Sequence, residues 1–302
     1  VEKFQAFTAE AIAAGMGVDC AMLSVEPCDA TFGATLTGVS LDALDDDDWE
    51  RSATAFAHYA LLIFPGQHLD REAQRAFACR FGPLETELMG DEPVVVIANT
   101  DRAGGVRSSD HPVFHVLRGN EGWHTDSSYM PVSARASVLS AITVPPVGGE
   151  TEWADMRAAF ASLEAHEQDR LAGLAACHSL RHSQARAGEA QTSGYGMDVE
   201  VEPVRPLVKR HPVTGVRSLF VGRHAHSVIG MSTADSEQLL DRLVQEACRP
   251  PRLHKHRWRP GDLVVWDNRC LLHRAHPYDY SVARVMWHTR VAGDPATEAG
   301  MA

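Results

Sequence analysis

The 302-residue chain has no Cys-x-x-Cys pair, and its six cysteines, at 20, 28, 79, 177, 248 and 270, are too scattered for a disulfide framework. Reduced thiols are expected. No apolar run approaches the roughly 18 residues a membrane span requires; the longest are strand-sized, such as Tyr59-Ala-Leu-Leu-Ile-Phe64. No membrane partner is expected. Residues 1–22 carry Glu2, Lys3, Glu10 and Asp19 among scattered apolar positions, so the basic start and continuous apolar stretch of a secretory signal are missing. The expected compartment is cytoplasmic. Positive charge is scarce too: 28 Lys and Arg against 40 Asp and Glu give a net charge of −12, which argues against nucleic acid as a partner. There is no Gly-x-Ser-x-Gly nucleophile elbow and no glycine-rich phosphate loop. With 44% hydrophobic and 23% charged residues the composition is that of an ordinary globular protein, and neither a repeat nor a linker divides it. The expected organisation is an N-terminal extension over 1–22, ordered or not, followed by a single domain over 23–302, with self-association into a homo-oligomer.

What is present begins with a helix, a strand and a second helix. Trp49, Ala53 and Phe56 recur at helical spacing within 41–60, and the acidic run 45–48 lies at the end where negative charge meets the positive pole of the helix dipole. Residues 61–64 read as a strand, Pro65-Gly66 as a turn, and 71–80 as a helix capped by Asp70. From residue 91 short β-branched runs follow, at 94–97, 136–144, 207–208, 218–221, 263–266 and 285–291. Gly, Pro and Asp separate them, the texture of a sandwich or barrel. Two helices interrupt it, one from near Asp155 with Met156, Phe160 and Leu163 on a face, the other over 233–248 with Leu239, Leu243 and Ala247. Two polar stretches, 98–122 and 183–205, read as functional lids or as disordered loops.

Histidine is abundant, at 16 residues, so metal-binding pairs must be weighed against chance. With 40 acidic residues, roughly two His-x-Asp/Glu matches are expected at random, and two occur. His68-Leu-Asp70 leads into a helix, where Asp70 is a cap. His124-Thr-Asp126 lies in an aromatic and hydroxyl-rich segment at the start of the β region. On extended backbone, residues i and i+2 project to one side about 6.5 Å apart, so imidazole and carboxylate can converge on one ion. His273, ending a strand in the last β portion, is the candidate third ligand. Two His and one carboxylate leave coordination positions open, which suits non-haem Fe(II) better than a closed structural zinc site. The alternatives are scattered core or surface histidines, or zinc sites built on His224-Ala-His226 or His254-Lys-His256. The latter, flanked by Arg252, Lys255, Arg257 and Arg259, reads as a solvated basic face.

The ordered set Leu62-Ile-Phe-Pro-Gly-Gln67, Trp123-His-Thr-Asp126, Gly148-Gly-Glu-Thr151, Gly261-Asp262, Trp266-Asp-Asn-Arg269, His273 and Arg284 resembles the taurine and 2,4-dichlorophenoxyacetate dioxygenase family over about 27–293. Within it, Arg205-Pro-Leu-Val-Lys209, Gly222-Arg-His-Ala-His226 and Arg284-Val-Met-Trp-His288 are most similar to the aryloxyalkanoate dioxygenases of the (S)-2-phenoxypropionate type. The resemblance implies a mainly β fold with flanking helices, a double-stranded β-helix or jelly roll. It also implies a dioxygenase using Fe(II), 2-oxoglutarate and dioxygen on a small carboxylate. His124, Asp126 and His273 would then be the iron ligands, and Thr151 and Arg284 would hold 2-oxoglutarate. A guanidinium suits that cosubstrate's distal carboxylate, offering two parallel donors and a permanent charge; the plain alternative for Arg284 is a surface ion pair. Where sulfonate-using members carry a second arginine four residues on, this chain has His288, a weaker and pH-dependent anion partner, which argues against taurine. The substrate cation would then be Arg223, whose plain alternative is a strand-end surface residue. Remaining alternatives are a same-family oxygenase for another organic acid or sulfonate, a zinc hydrolase, and a non-catalytic binding protein on this fold.

Overall fold

Two short strands, β1 (Ser24–Pro27) and β2 (Ala34–Thr37), open the computed structural model, which describes residues 23–85, 93–188, 197 and 200–301. The expected extension over 1–22 lies outside the described residues. Helix α1 (Asp46–Tyr59) starts later than its periodicity suggests, because Asp45 caps it: the Asp48 N–H donates to the Asp45 carboxylate at 2.8 Å. Leu41–Ala43 forms a separate 3-10 turn. After β3 (Leu61–Phe64) comes α2 (Arg71–Cys79), where Asp70 accepts from the Ala73 N–H at 2.8 Å, as the sequence predicts.

The elements that follow are β4 (Val95–Ala98), α3 (Val113–Gly119), β5 (Ala136–Thr143), β6 (Thr151–Asp155), α4 (Met156–Ala161), α5 (Ala165–Ala172), β7 (Ala175–His178) and α6 (Leu180–Arg186). Then come β8 (Val204–Pro206), β9 (Val208–Arg210), β10 (Arg217–Leu219), β11 (Ala225–Val228), α7 (Thr233–Ala247), β12 (Leu253–His256), β13 (Leu263–Asp267), β14 (Leu271–Ala275), β15 (Val285–Val291) and the short α8 (Pro295–Glu298). Among the described residues no helix is long and apolar enough to cross a membrane.

The major sheet runs β1-β2-β3-β13-β5-β15-β4, with a minor sheet β12-β6-β14 and two further small sheets, β11-β7-β8 and β10-β9. This is the jelly roll. Alternation along the strands builds two layers of core, since successive side chains point to opposite faces. Leu263 and Val265 of β13 pack with Phe56, Phe77 and Phe81 under α1 and α2, whereas Val264 and Trp266 pack inward with Trp153, Leu271 and Met286. The outer side of the minor sheet is closed by α4 and α7, through Phe160, Leu239, Leu240 and Leu243 against Ala154 and Leu272.

Both polar stretches contain regular structure. The 98–122 stretch is not a disordered loop: Asn99 donates to the carbonyls of Tyr280 and Val282, Thr100 bridges Val106, and α3 completes it. The 183–205 stretch begins inside α6, capped by Ser179, and ends in β8; residues 189–196, 198 and 199 lie outside the described residues. Polar composition hid both helices because each shows only a few apolar residues to the protein. The basic face expected at His254-Lys-His256 holds for the exposed Lys255, Arg257 and Arg259 but is corrected for the two histidines. His256 donates toward Asp262 at 3.0 Å and His254 is half-buried beside Cys28, because β12 is hydrogen-bonded to β6 instead of lying free.

Candidate active site

Between the two sheets, one pocket contains all seven residues singled out in the sequence: His124, Asp126, Thr151, Arg223, His273, Arg284 and His288. Backbone pairing sets the first contacts. His124 and His273 exchange both main-chain hydrogen bonds, N–H to O at 2.9 and 2.8 Å, in an isolated antiparallel bridge, and their ring centroids are 4.1 Å apart. His273 sits in the middle of β14 and not at its end, opposite Trp153 of β6. The His124 segment is only a bridge in length; the chain turns straight after Asp126, with Ser127 at φ 53°.

One donor atom each from His124, Asp126 and His273 lies within 4.8 Å of the others, and all three side chains are buried. His273 Nε2 is 3.8 Å from Asp126 Oδ2. His124 Nδ1 is 2.7 Å from the Gly122 carbonyl, so that nitrogen carries the proton and Nε2 keeps its lone pair for an ion. Burial, then the neighbouring His273, holds His124 well below its usual value, and burial brings His273 down to about 4. Both imidazoles are therefore neutral at pH 7. Burial opposes the charge on Asp126, but His273, His288 and Arg290 outweigh it and the carboxyl lies well below its ordinary range. Two neutral imidazoles and a carboxylate with room between them are the donor set for Fe(II) with open positions.

A second group, His211, Asp267 and Cys270, also places its donor atoms within 4.8 Å. It is a poor metal site. His211 Nε2 donates to Asp267 at 2.9 Å while Nδ1 accepts the Val213 and Thr214 N–H groups, Arg269 also donates to Asp267, and burial raises the Cys270 thiol well above its usual value.

Sequence reasoning missed Ser137 and gave no role to the Trp266 and Asn268 of its own motif, the residues behind the carboxylate. The Ser137 hydroxyl donates to Asp126 Oδ2 at 2.6 Å, the Asn268 amide donates to Ser137 Oγ at 2.9 Å, and the Trp266 indole donates to Asn268 Oδ1 at 2.9 Å. Strand alternation could have found Ser137, which pairs with Trp266 across β5 and β13. Arg290 was also missed, although it continues the inward face Arg284, Met286, His288 of β15; it donates to Ser127 Oγ at 2.8 Å. Arg205 and Lys209, shared with the resembled subgroup, serve the fold. Arg205 donates to the Ser128 and Glu298 carbonyls and Lys209 pairs with the Glu298 carboxylate, pinning the C-terminal end.

Arg284 is buried, with its N–H held by Asn99 at 2.8 Å, one Nη donating to the Gly149 carbonyl at 3.1 Å, and Nε without a partner. No carboxylate among the described residues offsets its charge, and burial lowers its pKa. Thr151 lies in the same pocket, its hydroxyl accepting the Trp258 indole N–H at 2.9 Å. Arg223 follows Gly222 in a loop after β10, not in a strand. The neighbouring His224 and His226 do not hold it. His224 turns into the pocket against Ser183 at 2.8 Å, and His226 turns away to Glu202 at 2.9 Å. Arg223 is instead held by Gln184 and Ser183 of α6. His288 lies 3.4 Å from Asp126 Oδ2 and stacks on Trp266. Ile97, Val116, Leu117, Leu139, Leu180 and Met286 supply an apolar lining.

A model of the "Taurine catabolism dioxygenase TauD, TfdA family" matches residues 24–291. The chain is 50% identical to the (S)-phenoxypropionate/alpha-ketoglutarate-dioxygenase of Sphingobium herbicidovorans, over 92% of this chain and 98% of that protein. It is 36% identical to the alpha-ketoglutarate-dependent 2,4-dichlorophenoxyacetate dioxygenase of Cupriavidus pinatubonensis, over 85% and 93% respectively. Its fold matches the crystal structure of AAD-2 in complex with Mn(II) and N-oxalylglycine at a TM-score of 0.85 and 32% identity, covering 93% of this chain and 99% of that one.

Proposed function

This chain belongs to the TauD, TfdA family and is an Fe(II)- and 2-oxoglutarate-dependent dioxygenase acting on a small molecule, and on that premise we propose that it oxidises 2-aryloxypropionic acids at the carbon bearing the ether oxygen. The observation that carries this reading is Arg223. Its guanidinium is largely buried at the pocket wall and meets only neutral oxygens, and burial lowers its pKa to about 10. A buried cation without a counter-charge favours an anionic ligand. The apolar lining beside it suits an aromatic body, and the names of the two relatives speak for the same substrate class.

In this reading His124, Asp126 and His273 hold the iron, and Arg284 with Thr151 holds 2-oxoglutarate. When bound, Fe(II) with 2-oxoglutarate and dioxygen supplies the oxidation, yielding succinate and carbon dioxide beside the hydroxylated substrate. The chain itself binds and orients. The Gly122 carbonyl fixes the His124 tautomer, the Ser137 hydroxyl holds Asp126, and Arg284 grips the distal carboxylate of the cosubstrate, for which its unpartnered Nε is available. Arg223 binds the substrate carboxylate and so orients the adjacent carbon. His288 turns Nε2 toward Asp126 at 3.4 Å, and its Nδ1, without a hydrogen-bond partner among the described residues, is the nitrogen left for the substrate. Trp266, Leu139 and Met286 keep water out. A hydroxyl installed beside the ether oxygen gives a hemiketal, which collapses to a phenol and a keto acid. Residues 23–302 are read as one catalytic unit, supported by a matched region that spans nearly all of them.

The test is Arg223→Ala, assayed with 2-phenoxypropionate and with taurine. Turnover of the acid is expected to vanish while some uncoupled succinate production persists, and wild-type enzyme prefers the acid to taurine. Full activity of the variant on the acid, or a wild-type preference for taurine, refutes the assignment.

A further inference from the structure

Arg223 reaches the pocket along a track that two glycines keep clear. A Cβ on Gly119, the last residue of α3, would stand 2.5 Å from Gln184 Oε1 and 2.9 Å from Arg223 Nη1. One on Gly122 would stand 3.1 Å from Arg223 Cδ. At the end of this track the guanidinium donates to the Gln184 side-chain oxygen, and more loosely to Ser183 Oγ at 3.4 Å, while its backbone N–H is tied to the Trp123 carbonyl at 2.8 Å. Gln184 is buried on α6 and faces the same pocket.

A buried arginine is usually matched by a carboxylate, since burying a charge without one is costly. Here the nearest acceptor is an amide, isosteric with glutamate but without its charge. We infer that Gln184 is a positioning residue that aims Arg223 without neutralising it, and thereby makes the pocket select substrates bearing one carboxylate. This rests on the assignment of Arg223 to the substrate. The amide supplies geometry and leaves the positive charge for the ligand; a carboxylate there would supply the same geometry and cancel the attraction.

The experiment compares Gln184→Glu and Gly119→Ala with wild type, using 2-phenoxypropionate and its uncharged primary amide, with the 2-oxoglutarate KM and the melting temperature followed in parallel. Gln184→Glu is expected to raise KM for the acid about tenfold or more, the scale of one charged hydrogen bond, and to collapse the acid-over-amide preference. Lowering the pH should restore part of the affinity as the introduced carboxylate gains a proton, a response a packing defect does not produce. Gly119→Ala touches only the far ends of two flexible side chains, so the fold survives and KM for the acid rises without that pH dependence. If Gln184→Glu keeps the wild-type acid-over-amide ratio, or if its losses follow melting temperature and 2-oxoglutarate KM together, the inference is overturned. Arg223→Ala separates this from failure of the underlying assignment: unchanged KM for the acid in that variant removes Arg223 itself, whereas a raised KM there with an unaffected Gln184→Glu removes only the role of Gln184.

Discussion

Arg284 and Arg223 illustrate how one residue type takes its role from what surrounds it. Arg205 spends its guanidinium on backbone carbonyls and Arg269 on Asp267, so both are structural. Arg284 is also buried and Arg223 half-buried, yet no carboxylate offsets either among the described residues. Such a site favours a ligand that supplies the charge. The planar fork of Arg284 allows two parallel hydrogen bonds to a carboxylate, which the point charge of lysine cannot reproduce. Arg284→Lys is therefore expected to raise the 2-oxoglutarate KM about tenfold or more, with metal affinity little altered. Steady-state kinetics at varied 2-oxoglutarate check this, and an unchanged KM excludes Arg284 from the cosubstrate site.

Among the elements, β15 carries the most chemistry. Its inward face presents Met286, His288 and Arg290 in continuation of Arg284, while Gln74 of α2 seals the opposite face by donating to the Trp287 carbonyl and Thr289 Oγ1, each at 3.1 Å. Period-two alternation places Arg284, Met286 and His288 on that face, and Arg290 follows by the same rule although the sequence reading stopped short of it. Element context also separates the two His-x-Asp tripeptides. Asp70 precedes α2 and spends its carboxylate on the Ala73 N–H, whereas Asp126 lies at a turn off a β-bridge and faces two imidazoles. Asp70→Ala should lose about 1 kcal/mol of stability, the worth of a cap, and keep full Fe(II) binding. Asp126→Ala should lose the metal. Denaturant melts beside a metal titration distinguish them, and iron retained by Asp126→Ala but lost by Asp70→Ala reverses the assignment.

Across the whole molecule, six of the 16 histidines are buried, at 124, 178, 211, 224, 273 and 288, and others are half-buried. Burial, joined by Arg205, His226 and Lys209, holds His178 well below its usual value; burial and Arg223 do the same for His224, and burial with His256 brings His254 to about 4. Each is neutral in the folded chain but protonates near 6.5 once unfolded, so below that pH the unfolded state binds more protons and stability falls as pH falls. Each contributes a slope of about 1.4 kcal/mol per pH unit until its folded value is reached. His178 stacks on Phe220 and neither ring nitrogen has a hydrogen-bond partner, so phenylalanine fits its place. His178→Phe should flatten the loss of stability between pH 7 and 5 in urea unfolding. Curves parallel to wild type contradict this.

Local chemistry along the chain determined the cap at Asp70, the strands at 61–64 and 285–291, and the His124 and Asp126 candidates, because each depends on neighbours within a few residues, whereas Arg284 entered through the family resemblance. Which histidines meet was decided elsewhere. The bridge between His124 and His273 spans 149 positions of sequence, and pairing across such a distance depends on how β14 docks against the segment after α3, which no local pattern encodes. The same holds for Gln184 and Arg223, joined only because α6 lies over the loop after β10; alternation puts Ser137 opposite Trp266, but only closure of the roll brings it to Asp126. Charge patterns alone also mistook His254 and His256 for a solvated face, since burial of a polar strand is set by its hydrogen-bonded neighbour, here β6, and not by its composition.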